Sequence, residues 1–334
     1  MTAIGIASTG VYFPPQTENA SSLAMKTGIP EEIIKEKFGL YEKHVADDHT
    51  HASDLAIRAA KAALEGFDPN KIDVVIYFGS PHKDYPVWSA ANKIQHELGA
   101  KNAYAFETMS VSANFPITLK VAKDMLISDP SIQYILLAGG CKESTLIDYG
   151  NARSRFMFNF ADGGAAALIS RTTASNRILG SGFVTDGSFH HYVKVPAGGT
   201  VQPATHETIN NRMHYIDVTD PLAMKEQLDP VSVRNFITAI EKALASSGYK
   251  VEDIDWILPL HTKKSMLLEL LGRLGLREEQ AIYLDHYGHM SALDPLIGFH
   301  FLKQHKPLKP GDLIVMVSAG TGYTWSSTVV EWIG

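Results

Sequence analysis

The chain has 334 residues, 45% of them hydrophobic, enough to bury one large core or two ordinary ones. Its net charge of −6 and pI near 6.2, with no polybasic tract, argue against nucleic acid or a membrane surface as partner. The one cysteine, Cys141, excludes an intrachain disulfide and a cysteine-rich metal site. The apolar runs at 74–78, 134–138 and 313–317 are too short to span a bilayer, and the first ten residues lack the pattern of a secretion signal. A soluble, cytoplasmic, globular protein is expected.

In chain order, a helical period over 54–64 leads into the strand Lys-Ile-Asp-Val-Val-Ile-Tyr-Phe at 71–78. An apolar helix closing on Leu98-Gly99 follows, then a short strand at 103–106. The small-residue stretch Glu-Thr-Met-Ser-Val-Ser-Ala-Asn-Phe-Pro at 107–116 puts Ser112 between that strand and a helical segment at 117–126. A buried strand, Tyr-Ile-Leu-Leu-Ala-Gly-Gly at 134–140, completes the unit. A second unit begins with a helical period over 231–245 and the strand Asp-Ile-Asp-Trp-Ile-Leu-Pro-Leu at 253–260. A helix closing on Leu274-Gly275 comes next, then a strand at 281–284 and the turn Asp-His-Tyr-Gly-His-Met-Ser at 285–291. Leu-Ile-Val-Met-Val-Ser-Ala-Gly at 313–320 closes it.

The same order thus recurs about 180 residues apart, which reads as an internal duplication. The expected halves are 1–172, carrying Ser112, and 173–334, carrying His261 and His289. Continuous apolar strands alternating with helices indicate α/β layering, with sheets covered on both faces. A pseudo-two-fold axis would bring the Ser112 turn against the 285–291 turn, with His261 nearby at the end of its strand. A hydroxyl and two imidazoles at a domain junction form an acyl-transfer constellation.

Each of these residues also has an ordinary reading. On local sequence alone, Ser112 is an N-cap serine for the helix that follows it. Ser110 is a second hydroxyl in the same turn. The pairs His49/His51 and His286/His289 have spacings seen in metal sites, but no third ligand accompanies them, so no metal is expected. Cys141 follows a buried strand and reads as an inert thiol.

Six segments, in order, resemble the thiolase-like superfamily and, within it, the ketoacyl-acyl-carrier-protein synthase III group. Gly-Leu-Tyr-Glu-Lys-His at 39–44 is similar to that group's Gly-Ile-Arg-Glu-Arg-His, and Leu-Gly-Ala at 98–100 to its Leu-Gly-Ala. Phe-Ala-Asp-Gly-Gly-Ala-Ala-Ala at 160–167 is similar to its Phe-Gly-Asp-Gly-Ala-Gly-Ala block, and Pro-Leu-His at 259–261 to Val-Pro-His. Tyr-Gly-His-Met-Ser-Ala at 287–292 matches Tyr-Gly-Asn-Thr-Ser-Ala, and Ala-Gly-Thr-Gly-Tyr-Thr-Trp at 319–325 matches the Gly-Gly-Gly-Leu-Thr-Trp loop.

The resemblance implies a five-layered α-β-α-β-α fold built from two duplicated halves. It implies an acyltransferase with no permanently bound cofactor, whose substrates are acyl-coenzyme A or the phosphopantetheine of an acyl carrier protein. It also implies a homodimer. The family's acylated cysteine falls on Ser112, its catalytic histidine on His261 and its catalytic asparagine on His289. The backbone N–H groups of Ser112 and Gly322 would form the oxyanion hole. The family's carrier-binding positions hold Ile33 and Lys37, and Arg153 or Arg155. Serine needs a base where a thiolate does not, and either histidine suits that work. Two further readings stay open: a silent partner in a heterodimer with an active paralogue, and an acyl-thioester hydrolase.

Overall fold

The computed structural model describes residues 3–171 and 176–334. The boundary expected between 172 and 173 lies outside the described residues. Strand β1 (Gly5–Tyr12) opens the first half, followed by helix α1 (Ala52–Ala63), β2 (Val74–Tyr77), α2 (Ala90–Glu97) and β3 (Tyr104–Glu107). Helix α3 (Asn114–Ser128), β4 (Tyr134–Lys142) and β5 (Asp162–Ser170) complete it. The second half runs β6 (Arg177–Thr185), α4 (Pro221–Ser247), β7 (Trp256–Pro259), α5 (Lys264–Leu274), α6 (Asp294–His305), β8 (Leu313–Gly320) and β9 (Thr324–Glu331).

The strands order as β7-β8-β9-β6-β1-β5-β4-β2-β3. Read outward from the centre, β1-β5-β4-β2-β3 repeats as β6-β9-β8-β7, ending in a single parallel bridge, Ile257 to Ala281. Each half has the same senses: β2 and β7 pair parallel with β4 and β8, and the remaining neighbours toward the centre are antiparallel. The two halves meet where Gly5 pairs with Arg177. The strand expected at 281–284 is reduced to that one bridge: after Ile282 N donates to Ile257 O (3.3 Å) the backbone leaves the ladder, and Leu284 O accepts from Tyr287 N (3.0 Å) and Gly288 N (2.9 Å) in a turn.

Alternation along the strands builds the layers. Val74, Ile76 and Phe78 face a central core with Phe115 and Leu119 of α3 and Leu296 and Phe299 of α6. Val75 and Tyr77 face outward, onto Ala59 and Ala60 of α1 and Ile94 of α2. In the second half Ile314 and Met316 point inward, while Val315 and Val317 meet Phe236 and Ile240 of α4. Helices α3 and α6 therefore lie between two sheet halves, with α1 and α2 outside one and α4 and α5 outside the other. Each fully buried aliphatic side chain in these seams contributes roughly 1.5–3 kcal/mol of burial. The helix expected at 231–245 starts earlier, at Pro221, where Asp220 caps it by accepting from Ala223 N, and it runs through Pro230. Among the described residues, no helix is long and apolar enough to cross a membrane.

Candidate active site

From β3 the chain enters α3 through a tight turn, Val111–Ala113. Val111 sits at φ 49°, a left-handed conformation that disfavours a β-branched residue by about 1–2 kcal/mol. Hydroxyls from the second half hold the turn in place. Ser318 Oγ donates to Ser112 O (2.6 Å), Ser326 Oγ to Ala113 O (2.8 Å) and Thr328 Oγ1 to Pro116 O (3.2 Å). Gly320 completes the clamp: a Cβ there would strike Ser110 O and come within 2.8 Å of Ala113 N.

This fixed turn aims Ser112 at the second half. Its hydroxyl lies 3.2 Å from His289 Nε2 and 3.4 Å from Ser291 Oγ, and the residue is 7% exposed. The capping reading of Ser112 is thereby corrected. The N-cap of α3 is Ala113, with no side-chain cap, because the strained turn points the serine away from the helix backbone. Ser110 precedes the turn and contributes its carbonyl, which accepts from Ala113 N.

His289 is placed with equal care. Gly288, at φ 81°, lets the chain pass so close that a Cβ would come within 2.7 Å of Asn159 O. His289 N then donates to Asn159 O, and Ala161 N donates to His289 O, both at 2.9 Å. The imidazole stands edge-on to Phe160, and its Nδ1 lies 2.5 Å from Asp294 Oδ2. Asp294, fully buried at the start of α6, also accepts from His261 N (2.7 Å) and Met290 N (2.8 Å). Ser112, His289 and Asp294 thus form one hydrogen-bonded line of hydroxyl, imidazole and carboxylate. Asp294 is the residue that sequence reasoning missed. An aspartate before Pro295 reads as ordinary helix-start chemistry. The available signal was its place in the duplication, opposite Asn114.

The two imidazoles are driven apart electrostatically. Burial opposes charge on His289, but the charge and hydrogen bond of Asp294, with Glu143 behind, prevail and hold its pKa above the ordinary imidazole value. Burial drives His261 down to about 3; Asp294 pulls the other way, and His289 adds to the depression. Neither ring nitrogen of His261 has a partner among the described residues, and the ring lies 4.5 Å from that of Tyr283. His289 therefore suits proton transfer, and His261 suits hydrogen bonding as a neutral ring.

Both histidines and Ser112 line a chamber of about 400 Å³. Its walls are largely apolar, with Met224, Leu228, Phe236 and Tyr323 among them, and Lys37, Arg153, Lys225 and Lys263 supply positive charge. Arg153 is tied to Asp217 through Nε (3.2 Å) and Nη2 (2.6 Å). Arg155 does not line the chamber: two residues along a three-residue turn, it points elsewhere and is exposed. Ile33 does not line it either, since its helix buries the neighbouring Ile34 instead. Gly322 is also outside the lining, which is formed at that loop by Ala319, Gly320, Thr321 and Tyr323. Among the described residues, no group of three or more His, Cys, Asp or Glu is arranged to hold a metal ion.

Comparison with known proteins gives the family. Residues 106–187 match the model of 3-oxoacyl-[acyl-carrier-protein] synthase III, and residues 244–332 match that of its C-terminal part. The beta-ketoacyl-[acyl-carrier-protein] synthase III of Syntrophomonas wolfei is 30% identical over 337 residues, covering 98% of this chain and 97% of its own. The enzyme of the same name from Caldanaerobacter subterraneus is 30% identical over 334 residues, covering 99% and 98%. In structure, the 3-oxoacyl-[acyl-carrier-protein] synthase III of Aquifex aeolicus superposes with a TM-score of 0.83 at 24% identity, covering 98% of this chain and all of that one. The priming beta-ketosynthase of the R1128 polyketide pathway gives 0.85 at 20% identity, covering 99% and 96%. The chain belongs to the 3-oxoacyl-acyl-carrier-protein synthase III family and is an acyltransferase.

Proposed function

We propose that this acyltransferase works through an acyl-serine at Ser112, where the family resemblance leads one to expect a cysteine. The observation that carries the reading is the line from Ser112 Oγ to His289 Nε2 (3.2 Å) and from His289 Nδ1 to Asp294 Oδ2 (2.5 Å). A serine hydroxyl is a poor nucleophile without a base, and here a base oriented by a carboxylate stands within reach. Ser112 Oγ attacks the carbonyl carbon of an acyl thioester as its proton passes to His289 Nε2. The backbone N–H groups of Ser112 and Gly322 receive the oxyanion. The C–S bond breaks, His289 returns the proton to the departing thiolate, and the acyl group stays as an oxygen ester. His261, neutral and unpartnered, then donates its ring N–H to the carbonyl of the second substrate.

The donor is a thioester of coenzyme A or of an acyl carrier protein: the relatives' names give the carrier protein, and Lys37 and Lys225 at the chamber suit the phosphate of either, whereas Arg153 is tied to Asp217 and Lys263 lies 3.5 Å from Asp229. An assembled triad favours this reading over a silent partner subunit, which has no use for one. We take the working form to be a homodimer joined along β3, an edge strand with Tyr104 exposed.

Intact-protein mass spectrometry after incubation with short acyl-coenzyme A thioesters and acylated carrier protein tests the mechanism. The expected result is a mass increase of one acyl group, absent in Ser112→Ala. Free acid released without an acceptor would make the enzyme a hydrolase. No adduct from either class of donor would overturn the acyl-serine.

A further inference from the structure

Lys43 is fully buried, the only lysine so placed among the described residues, and it does not line the chamber. It lies on the short strand Glu42–His44, directly opposite Glu18 of the strand Thr17–Asn19. Its Nζ donates to Phe160 O (2.7 Å), Phe158 O (2.9 Å) and Tyr149 Oη (2.9 Å). Tyr149 gives its own hydrogen to Glu18 Oε2 (2.8 Å), so its oxygen is left to accept. An ammonium has three hydrogens and no lone pair, and here each hydrogen has its acceptor. The charge is balanced by Glu18, 3.6 Å away, which Lys26 also contacts. Burial lowers the pKa of Lys43 to about 8, with Glu18 and Asp162 opposing and Lys26 adding to the effect, so the ammonium form predominates at neutral pH.

The segment held in this way is the one on which His289 rests. Asn159 O, between the two carbonyls that Lys43 holds, accepts from His289 N, and Ala161 N donates to His289 O, both at 2.9 Å. The Phe160 ring stands edge-on to the imidazole, with centroids 5.0 Å apart. Lys43 also backs the turn before His289: a Cβ on Gly288 would come within 2.8 Å of Lys43 Cβ, and His44 N reaches Tyr287 O (3.4 Å). Residues 158–161 are therefore clamped between Lys43 and His289. Without the ammonium, two buried carbonyls lose this donor, and each such loss is costly. The readiest relief is a shift of the 158–160 backbone, which would carry His289 with it through both of its bonds to the segment.

We propose that Lys43 is a positioning residue: its ammonium fixes residues 158–160 and through them holds His289 Nε2 within reach of Ser112 Oγ. This role rests on the reading of His289 as the base for Ser112. Asp294 sets the tautomer of the imidazole, and Lys43 sets where the imidazole stands. The margin is small, because the Ser112 Oγ to His289 Nε2 separation is already 3.2 Å. A displacement of about 1 Å at a reacting group can cost roughly 100-fold in rate.

Single-turnover acylation of Ser112 by a short acyl-coenzyme A thioester, with an organophosphonate serine probe alongside, tests this in the wild type, Lys43→Met, Lys43→Gln and Lys43→Arg. Circular dichroism first establishes that each variant is folded. Methionine keeps the bulk and removes every donor, so the saturating rate should fall roughly 10- to 100-fold. The donor concentration at half the saturating rate should stay within about twofold of wild type, because Lys43 does not line the chamber. Arginine, which stands at this place in the similar family segment, keeps charge and N–H donors and should recover most of the rate. Glutamine keeps one N–H₂ without the charge, should fall between the two, and carries the test if the methionine variant does not fold. A full saturating rate in a folded methionine or glutamine variant, or a loss confined to the half-saturating concentration, would overturn the proposal. A second readout needs no reaction: the low-field proton resonance of the His289–Asp294 hydrogen bond should move in Lys43→Met and return toward its wild-type position in Lys43→Arg. A resonance unmoved in every variant would overturn the proposal as well. If the probe and every acyl donor leave wild-type Ser112 untouched, the acyl-serine mechanism fails, and that resonance still decides whether Lys43 positions His289.

Discussion

At 111–114 the chain enters α3 through a left-handed Val111, and at 291–294 it enters α6 through a left-handed Ser291. The two turns are duplicates, and the first residue of each helix reaches back to the peptide just beyond its neighbouring strand. In the first half that residue is an amide: Asn114 Nδ2 donates to Phe78 O (3.0 Å) and Thr108 O (2.8 Å). In the second it is a carboxylate: Asp294 accepts from His261 N (2.7 Å) and Met290 N (2.8 Å). Reversing donor and acceptor at one position splits the labour between the halves. The acceptor site has a lone pair to spare for His289, while at the donor site both amide hydrogens are taken by carbonyls and Asn114 Oδ1 meets no donor, which leaves that turn free to present Ser112. The positions opposite Ser112 and His289 in the duplication are Ala292 and Met109, so neither half carries a complete site.

Copying the first turn into the second gives the largest effect. Asp294→Asn leaves one oxygen for three donors and turns an N–H₂ toward at least one of them. His289 then loses the tautomer that accepts from Ser112, and the acylation rate should fall by roughly 10³–10⁴-fold, as for loss of a triad carboxylate elsewhere. Single-turnover mass spectrometry at fixed donor concentration checks this. A fall of less than tenfold would mean that Asp294 serves the backbone of the turn rather than the base.

That comparison also marks what the sequence could and could not disclose. The repeated order of helix, strand and Leu-Gly closure is written in apolar periodicity, and the strand order of the two halves follows it. Ser112, His261 and His289 stood out because two halves packed about an axis must bring such turns together. Asp294 did not stand out, because what it does depends on burial. A carboxylate at a helix start looks like any solvated acid until the chain around it closes. Ile33, Arg155 and Gly322 came from positions in a resemblance; of the carrier-binding positions among them and beside them, Lys37 and Arg153 line the chamber and Ile33 and Arg155 do not.

The reciprocal exchange should act on stability instead. Asn114→Asp places a carboxylate against two carbonyl oxygens in a fully buried position, so both hydrogen bonds are lost and a charge is left unpaired. A loss of about 3 kcal/mol or more is expected in urea unfolding at neutral pH. It should shrink as the pH falls and the carboxyl takes up a proton that lets it donate to one carbonyl. A neutral outcome at pH 7 would show that the first turn tolerates what the second requires.

The smallest effect separates the two histidines. Acylation needs His289 without its extra proton, and Asp294 holds that proton more tightly than an ordinary imidazole would. The rate should therefore rise with pH along a limb whose midpoint lies above 6.5, and His289→Asn should abolish that limb. His261 does not contribute to it, because it stays neutral down to about pH 3; in His261→Asn the midpoint should move only slightly, as one neighbour of His289 is lost. Stability carries the opposite signs. The folded value of His261 is depressed, so the unfolded chain binds more protons below 6.5, and stability is lost as pH falls from 6.5 toward 3. The folded value of His289 is raised, so its contribution is complete below 6.5 and disappears as pH rises through that value. Denaturation midpoints of the two asparagine variants across pH 4–8 should accordingly diverge from the wild type in opposite directions. If His261→Asn also abolishes the kinetic limb, the two imidazoles share one proton and the division of labour between the turns is wrong.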